Sequence, residues 1–275
     1  MIINGLVMKK QLGVLLILFY ILLCVVLFSC FYKNPVTGRT SLALVDDGTV
    51  TTMATKQYST FLTTNPPIQG ANTEMVKRVG ARLSAAVAQY LAGINQSSLI
   101  KDYHWEYNLV NNAEANAWCM PGGKVVVYSG ILPLTQDETG LAVVMGHEIG
   151  HAVARHGNER MSDQLVAQFG GVALSEMLSG KPAETQALFN TAYGVSSNLG
   201  VLAYSRKQES EADEMGLYFM AMAGYDPNAA VGFWQRMAAH SGAKPPEFLS
   251  THPSDQARID HIKQLLPKAI TYYHH

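Results

Sequence analysis

Two histidines and a glutamate stand together in the segment His147-Glu148-Ile149-Gly150-His151, the spacing HExxH. Residues four apart lie on one face of an α-helix, so both imidazoles can reach a single ion at about 2.0–2.1 Å. Glu148 sits one residue round from His147, close enough to act on a water at that ion without ligating it. Water held by zinc has a pKa near 7, and a neighbouring carboxylate can take its proton as it attacks a peptide carbonyl. Leu141, Ala142, Val143, Val144 and Met145 precede the motif, and Ile149, Ala152 and Val153 lie within or behind it. Such flanks describe a buried helix, and buried polar groups need partners. One Zn2+ bound by His147 and His151 meets that need better than two scattered surface histidines do. The reaction implied is zinc-dependent hydrolysis of peptide bonds with Glu148 as base.

A catalytic zinc takes a third protein ligand. The pattern HExxHxxGxxH fails here, because Ala154 and Gly157 occupy the positions that would need Gly and His. His156 falls five residues past His151, off the metal face, and reads as a surface residue or one standing behind the ligands. The run Glu209-Ser210-Glu211-Ala212-Asp213 offers a carboxylate from a later helix. Its spacing suits Glu209 as ligand with Asp213, one turn on, accepting a hydrogen bond from a ligand ring. By spacing alone Glu211 competes with Glu209.

These side chains need a frame. The chain has 275 residues, with 20 Lys plus Arg against 21 Asp plus Glu, so nothing in its charge points to nucleic acid. Gln11 to Ser29 carries no charge and follows Lys9 and Lys10, which is the layout of an export signal, with a retained membrane helix as the alternative. Leu27-Phe28-Ser29-Cys30 resembles the lipobox of bacterial lipoproteins and makes Cys30 the lipidation site. Partners are then polypeptide substrates and a membrane, reached through a lipid or an N-terminal helix, at a periplasmic or extracellular face. After processing only Cys119 is left of three cysteines, so no internal disulfide is expected. The organisation expected is a signal over 1–29, a tether and N-terminal segment over 30–70, and a metallopeptidase domain over 71–275.

Within the body, helices are expected over 48–64 and 71–93. In the second, Met75, Val79, Leu83, Val87 and Leu91 form an apolar stripe. Alternation from Tyr103 to Leu109 predicts a strand, and Pro121-Gly122-Gly123 predicts a tight turn between two more. From Thr135 the pattern is helical: a capping box at Thr135–Glu138, a stop at Gly157, then helices over 160–179, 183–199, 205–223, 227–241 and 254–266. Asp226-Pro227 and Ser254 are read as N-terminal caps. The fold class is α+β and mostly helical, a small sheet packed on a helical body.

HEIGH followed by SRKQESEAD, with NPVTGR and NAWCMPGG upstream and THPSDQARI downstream, resembles the HtpX-like and CaaX-endopeptidase-like (Ste-type and Oma-type) zinc metallopeptidases, and most closely their periplasmic lipoprotein branch. The likeness runs from residue 33 to about 265. It implies a zincin-like domain whose sheet presents an edge strand beside the HExxH helix. It also implies Glu209 as third ligand, Asp213 as orienting acceptor, and Asn116 and Ala117 on the edge strand where substrate lies extended. The same resemblance brings His252 near the metal with Arg258 close by. There His252 is either an oxyanion stabiliser or a fourth ligand that keeps the enzyme latent. The activity implied is cleavage of extended or misfolded protein segments at the cell envelope; the alternative is a zinc-stabilised, chaperone-like binding lipoprotein with negligible turnover. Several relatives carry further membrane spans or helical repeats behind the catalytic domain, and neither pattern occurs up to His275.

Overall fold

The computed structural model describes residues 31–169, 182–193, 204–240, 247–252 and 256–273. The signal segment, Cys30 and the Ser254 cap lie outside the described residues. The chain opens with a hairpin of β1 (Phe31–Lys33) and β2 (Thr40–Leu42), paired antiparallel around the NPVTGR turn. The punctuated stretch after Cys30, expected as a tether, is therefore folded structure. Asn34, 2 % exposed, explains why: its Oδ1 accepts from the Val36 amide at 2.9 Å, and its backbone exchanges bonds with Gly38 and Arg39.

Helix α1 (Asp47–Thr64) starts where Asp46 accepts from the Thr49 amide at 2.9 Å. Helix α2 (Ala71–Gly93) buries Val79, Leu83, Val87 and Leu91 of the expected stripe, while Met75 is half-buried and Val76 and Ala86 complete the face. Strands β3 (Glu106–Val110), β4 (Ala117–Met120) and β5 (Lys124–Tyr128) form a mixed sheet of order β3-β5-β4, with β3 parallel and β4 antiparallel to β5. The β4–β5 turn uses Gly122 and Gly123, both near φ +80°, a backbone that residues with a Cβ adopt at a cost.

After the short α3 (Leu132–Thr135) comes α4 (Glu138–Val153), the HExxH helix. Its cap is Asp137, which accepts from the Gly140 amide at 2.8 Å, and not the expected Thr135. It ends at Val153, because Arg155 turns to φ +61° and the chain restarts as α5 (His156–Phe169). Gly157, expected as a stop, lies inside α5, where a Cβ would strike the Tyr193 ring. The remaining helices are α6 (Pro182–Tyr193), α7 (Arg206–Met222), α8 (Ala229–Ala239), α9 (Glu247–Thr251) and α10 (Gln256–Ile270). Helix α8 begins two residues after Pro227, since Asp226 spends its carboxylate on Asn228. The architecture is mostly helical with small sheets, and the sheet and α7 enclose α4, which is buried on all sides from Gly140 to Val153. Among the described residues no helix is long and apolar enough to cross a membrane.

Candidate metal centre

Helices α4 and α7 meet where neither has a side chain to separate them. A Cβ on Gly216 would lie 2.9 Å from the Gly146 carbonyl carbon and 2.9 Å from the His147 nitrogen. One turn on, a Cβ on Gly150 would lie 2.8 Å from the Ala212 oxygen. Backbone contact at these two points lets the first turn of α7 reach across the HExxH face. That turn is fixed by a capping box, in which the Ser205 side chain caps the Gln208 amide and Gln208 reaches back to the Ser205 nitrogen.

The result is one cluster of four buried donors: His147, His151, Glu209 and His252. Nε2 of His147 lies 3.0 Å from Nε2 of His151 and 3.2 Å from Nδ1 of His252. Glu209 Oε1 stands 3.3 Å from His151 Nε2 and 2.9 Å from His252 Nδ1, while Oε2 is 3.5 Å from His147 Nε2. A tetrahedral zinc with bonds of about 2.0–2.1 Å sets its donors about 3.3 Å apart. The separations, from 2.9 to 3.5 Å, bracket that edge.

The partners behind the two imidazoles decide which ring nitrogens are bare. Asp213 Oδ1 lies 2.9 Å from His147 Nδ1, so Nδ1 carries the hydrogen and Nε2 presents a lone pair. His151 Nδ1 meets His156 Nδ1 at 2.7 Å, and His156 Nε2 meets Glu211 Oε2 at 2.8 Å. A carboxylate only accepts, so His156 donates from Nε2, accepts at Nδ1, and leaves His151 with Nδ1–H and a bare Nε2. Burial holds both His151 and His156 below the ordinary imidazole pKa, in keeping with neutral rings. With neutral rings, two lone pairs and a carboxylate thus converge, a donor set that calls for a cation. Without an ion the same negative field draws a proton: although burial opposes charge on His147, Asp213 and Glu209 hold its pKa up to about 9, so a cation at Nε2 takes the place of that proton. Arg258, buried against the Trp234 ring at 3.5 Å, brackets Asp213 at 2.9 and 2.8 Å and comes within 2.6 Å of Glu209 Oε2. With His252 and His147 it keeps the Glu209 carboxyl well below its ordinary pKa despite burial.

Glu148 faces the same space. It is buried, and its Oε1 has no hydrogen-bond partner among the described residues. Burial raises its pKa, with His252 and His147 opposing. His252 Nε2 is 3.4 Å from that oxygen while its Nδ1 sits in the donor cluster, so one ring touches both halves of the site. Tyr204 stacks on His151 at 3.8 Å between centroids and on His252 at 4.9 Å.

Strand β4 ends the sheet among the described residues. Tyr128 donates to the Asn116 oxygen, so in the antiparallel alternation Asn116, Trp118 and Met120 bond to β5 while Ala117 and Cys119 face the open edge. The Asn116 side chain takes the Ala117 amide at 2.9 Å. Next along that edge the Phe248 amide donates to the Ala115 oxygen at 3.2 Å, and α9 then delivers His252 into the cluster.

The geometry gathers His147, Glu148, His151, Glu209, Asp213, His252 and Arg258, and separates Glu211, which turns away to His156. Gly146, Gly150, Gly216 and Tyr204 were not singled out by spacing. The small residues at 146, 150, 212 and 216, four apart on each helix, are the signal that marks the close approach.

The sequence model of Peptidase family M48 matches residues 77–266. The mitochondrial metalloendopeptidase OMA1 of Schizosaccharomyces pombe is 37 % identical over 212 residues, 73 % of this chain and 60 % of that protein. The OMA1 metalloendopeptidase of Bos taurus is 31 % identical over 94 % of this chain and 49 % of its own length. The beta-barrel assembly-enhancing protease of Escherichia coli K12 is 30 % identical over 68 % of this chain and 37 % of its own length. The chain spans about half the length of the curated OMA1 relatives it matches. With the HExxH helix, the carboxylate of α7 and their shared donor cluster in place, this chain belongs to peptidase family M48.

Proposed function

We propose that the protein is a zinc-dependent endopeptidase that cleaves extended or misfolded segments of polypeptide at the cell envelope, held to the membrane through Cys30. The observation that carries the catalytic part is the convergence of two imidazole nitrogens and the Glu209 carboxylate beside a buried Glu148 oxygen that accepts no hydrogen bond among the described residues. His147, His151 and Glu209 hold the ion, and Asp213 and Arg258 hold them. Zinc supplies a Lewis acid that polarises the scissile carbonyl and acidifies water at the site. Glu148 takes the proton of the attacking water at Oε1 and returns it to the leaving amine. A carboxyl whose pKa is raised by burial is suited to both transfers. The open edge of β4, at the Ala117 oxygen and at Cys119, orients an extended substrate by adding it as a strand.

The envelope assignment rests on the apolar N-terminal segment, the lipobox-like run before Cys30 and the likeness to the periplasmic lipoprotein branch. Replacing Glu148 by Gln tests the mechanism: zinc stays bound, while cleavage of an unfolded protein falls by about 100-fold or more. Cleavage at the parental rate refutes the role of Glu148.

His252 favours a second reading of the resting state. Its Nδ1 already stands among the donors, and a fourth protein ligand closes a zinc site to water. On this reading the ring leaves the cluster before turnover, and His252→Ala cleaves faster than the parent. A slower His252→Ala assigns the ring to oxyanion stabilisation, and no cleavage by either protein favours the chaperone-like alternative.

A further inference from the structure

The residues that fix His151 do not all belong to the part of the chain that matches the peptidase family. Behind His151 stands His156, fully buried, and behind His156 stands Glu211. Glu211 is gripped from the N-terminal hairpin: Thr37 Oγ1 and Arg39 Nε both donate to it. The other arms of the Arg39 guanidinium reach both oxygens of Glu159 on α5, at 2.6 and 2.7 Å, and Gln208 at the start of α7 also donates to Glu159 at 2.9 Å. Arg39 thus ties α5 to α7 at the point where their side chains support a ligand ring. The hairpin is set for this by Asn34, which closes the turn and points its amide at the Met215 sulfur of α7 at 3.5 Å. All of these hairpin residues precede residue 77, where the family match begins.

We propose that the Asn34–Arg39 turn is a positioning element of the metal site, with Thr37 and Arg39 orienting Glu211 so that the Glu211–His156–His151 chain presents His151 Nε2 as a bare donor. The proposal rests on the zinc reading above. Each hydrogen has one place in it. Glu211 accepts from His156 Nε2–H, His156 Nδ1 accepts from His151 Nδ1–H, and Nε2 of His151 is left for the ion. A Glu211 free to rotate no longer selects that arrangement, because a neutral His156 can then carry its hydrogen on Nδ1. Donation from there to His151 Nδ1 moves the hydrogen of His151 onto the nitrogen the ion needs. Arg39 and Thr37 touch neither the ligands nor Glu148, so they are positioning residues.

The test compares the full chain with Arg39→Met, Arg39→Lys and Thr37→Val. Zinc loss to a chromophoric chelator is followed in the loaded proteins, and the nitrogen resonances of the imidazoles are recorded in the zinc-free ones. Loss from Arg39→Met is expected to be faster by about three- to ten-fold, below the ten- to hundred-fold that follows loss of a partner touching the ligand itself, because Arg39 acts through Glu211 and His156. Thr37→Val shows a smaller change in the same direction, and Arg39→Lys, which keeps the charge but not the fork, recovers part of the loss. In the zinc-free parent His151 carries its hydrogen on Nδ1, and in Arg39→Met it distributes between the two nitrogens. Should Arg39→Met not fold, Thr37→Val carries the same comparison with one neutral hydrogen bond removed. Zinc loss from a folded Arg39→Met, or otherwise from Thr37→Val, within twofold of the parent overturns the proposal, as does a zinc-free parent with the hydrogen on His151 Nε2. A parent that binds no zinc sinks the zinc reading instead. The imidazole resonances then decide the positioning role alone, supported by a shift between parent and variant and overturned by identical patterns.

Discussion

Replacing Gly216 by Ala probes the contact on which the donor set depends. The new methyl would sit 2.9 Å from the Gly146 carbonyl carbon, 2.9 Å from the His147 nitrogen and 3.1 Å from the Gly146 oxygen. All three are backbone atoms of α4 and cannot rotate aside. An ordinary carbon contact needs about 3.5–4.0 Å, so the helices must part by about 0.6 Å or more. A helix-interior Gly→Ala change normally stabilises by about 0.5–1 kcal/mol, whereas overpacking costs about 1–3 kcal/mol. The net expectation is a loss of about 1–2 kcal/mol, or about 3–6 °C in Tm for a domain of this size. The donor cluster feels the same displacement. Zinc sites tolerate about 0.2 Å in donor distance, so moving Glu209 away from His147 and His151 should weaken zinc binding by about tenfold or more. Melting curves with and without zinc, together with competition against a chelator, measure both effects. Gly93→Ala is the control, because nothing lies within 4 Å of its added carbon. If Gly216→Ala melts with that control and holds zinc as the parent does, the close approach does not position the site.

Two further perturbations separate the electrostatics of the centre from those of the frame. Arg258→Met leaves Asp213 and Glu209 buried without their shared cation, which costs about 3–5 kcal/mol in the zinc-free protein and less once zinc is bound; equal destabilisation in both forms contradicts that account. At the sheet, burial raises the Glu106 pKa but hydrogen bonds from Lys124 and Tyr58 win and lower it. Its stabilising contribution is therefore present above the unfolded value of 4.5 and is lost as pH falls through the lower folded value. The side chain is half exposed, so Glu106→Gln should remove less than about 1 kcal/mol at neutral pH and flatten the acid limb of the stability curve, as read by urea titrations from pH 3 to about 7.

What local patterning controls was legible in the sequence. The apolar period of α2, the glycine turn between β4 and β5, and the one-turn spacing of His147 and His151 each depend on residues a few positions apart. The ends of α4 were less so, since a side-chain cap at Asp137 and a backbone turn at Arg155 set them, and the Thr135 and Gly157 signals did not reveal either. The N-terminal stretch read as a tether because Pro and Gly punctuate it. Its anchor is a buried asparagine that closes the turn locally and reaches the Met215 sulfur far along the chain.

The choice between Glu209 and Glu211 shows where sequence stops. Glu209 and Glu211 are two residues apart, about 200° round a helix, and spacing cannot say which one faces the histidines. The rotation of α7 against α4 decides it, set by backbone contact at Gly146, Gly150, Ala212 and Gly216. That contact turns Glu209 toward the imidazoles and Glu211 toward His156 and the hairpin. The HExxH face is intrinsic to one helix, because its geometry follows from 3.6 residues per turn. The cation-demanding pocket exists only once three separate segments, α7, α9 and α10, are packed against that face, because Glu209, His252 and Arg258 come from distances along the chain that no local rule spans.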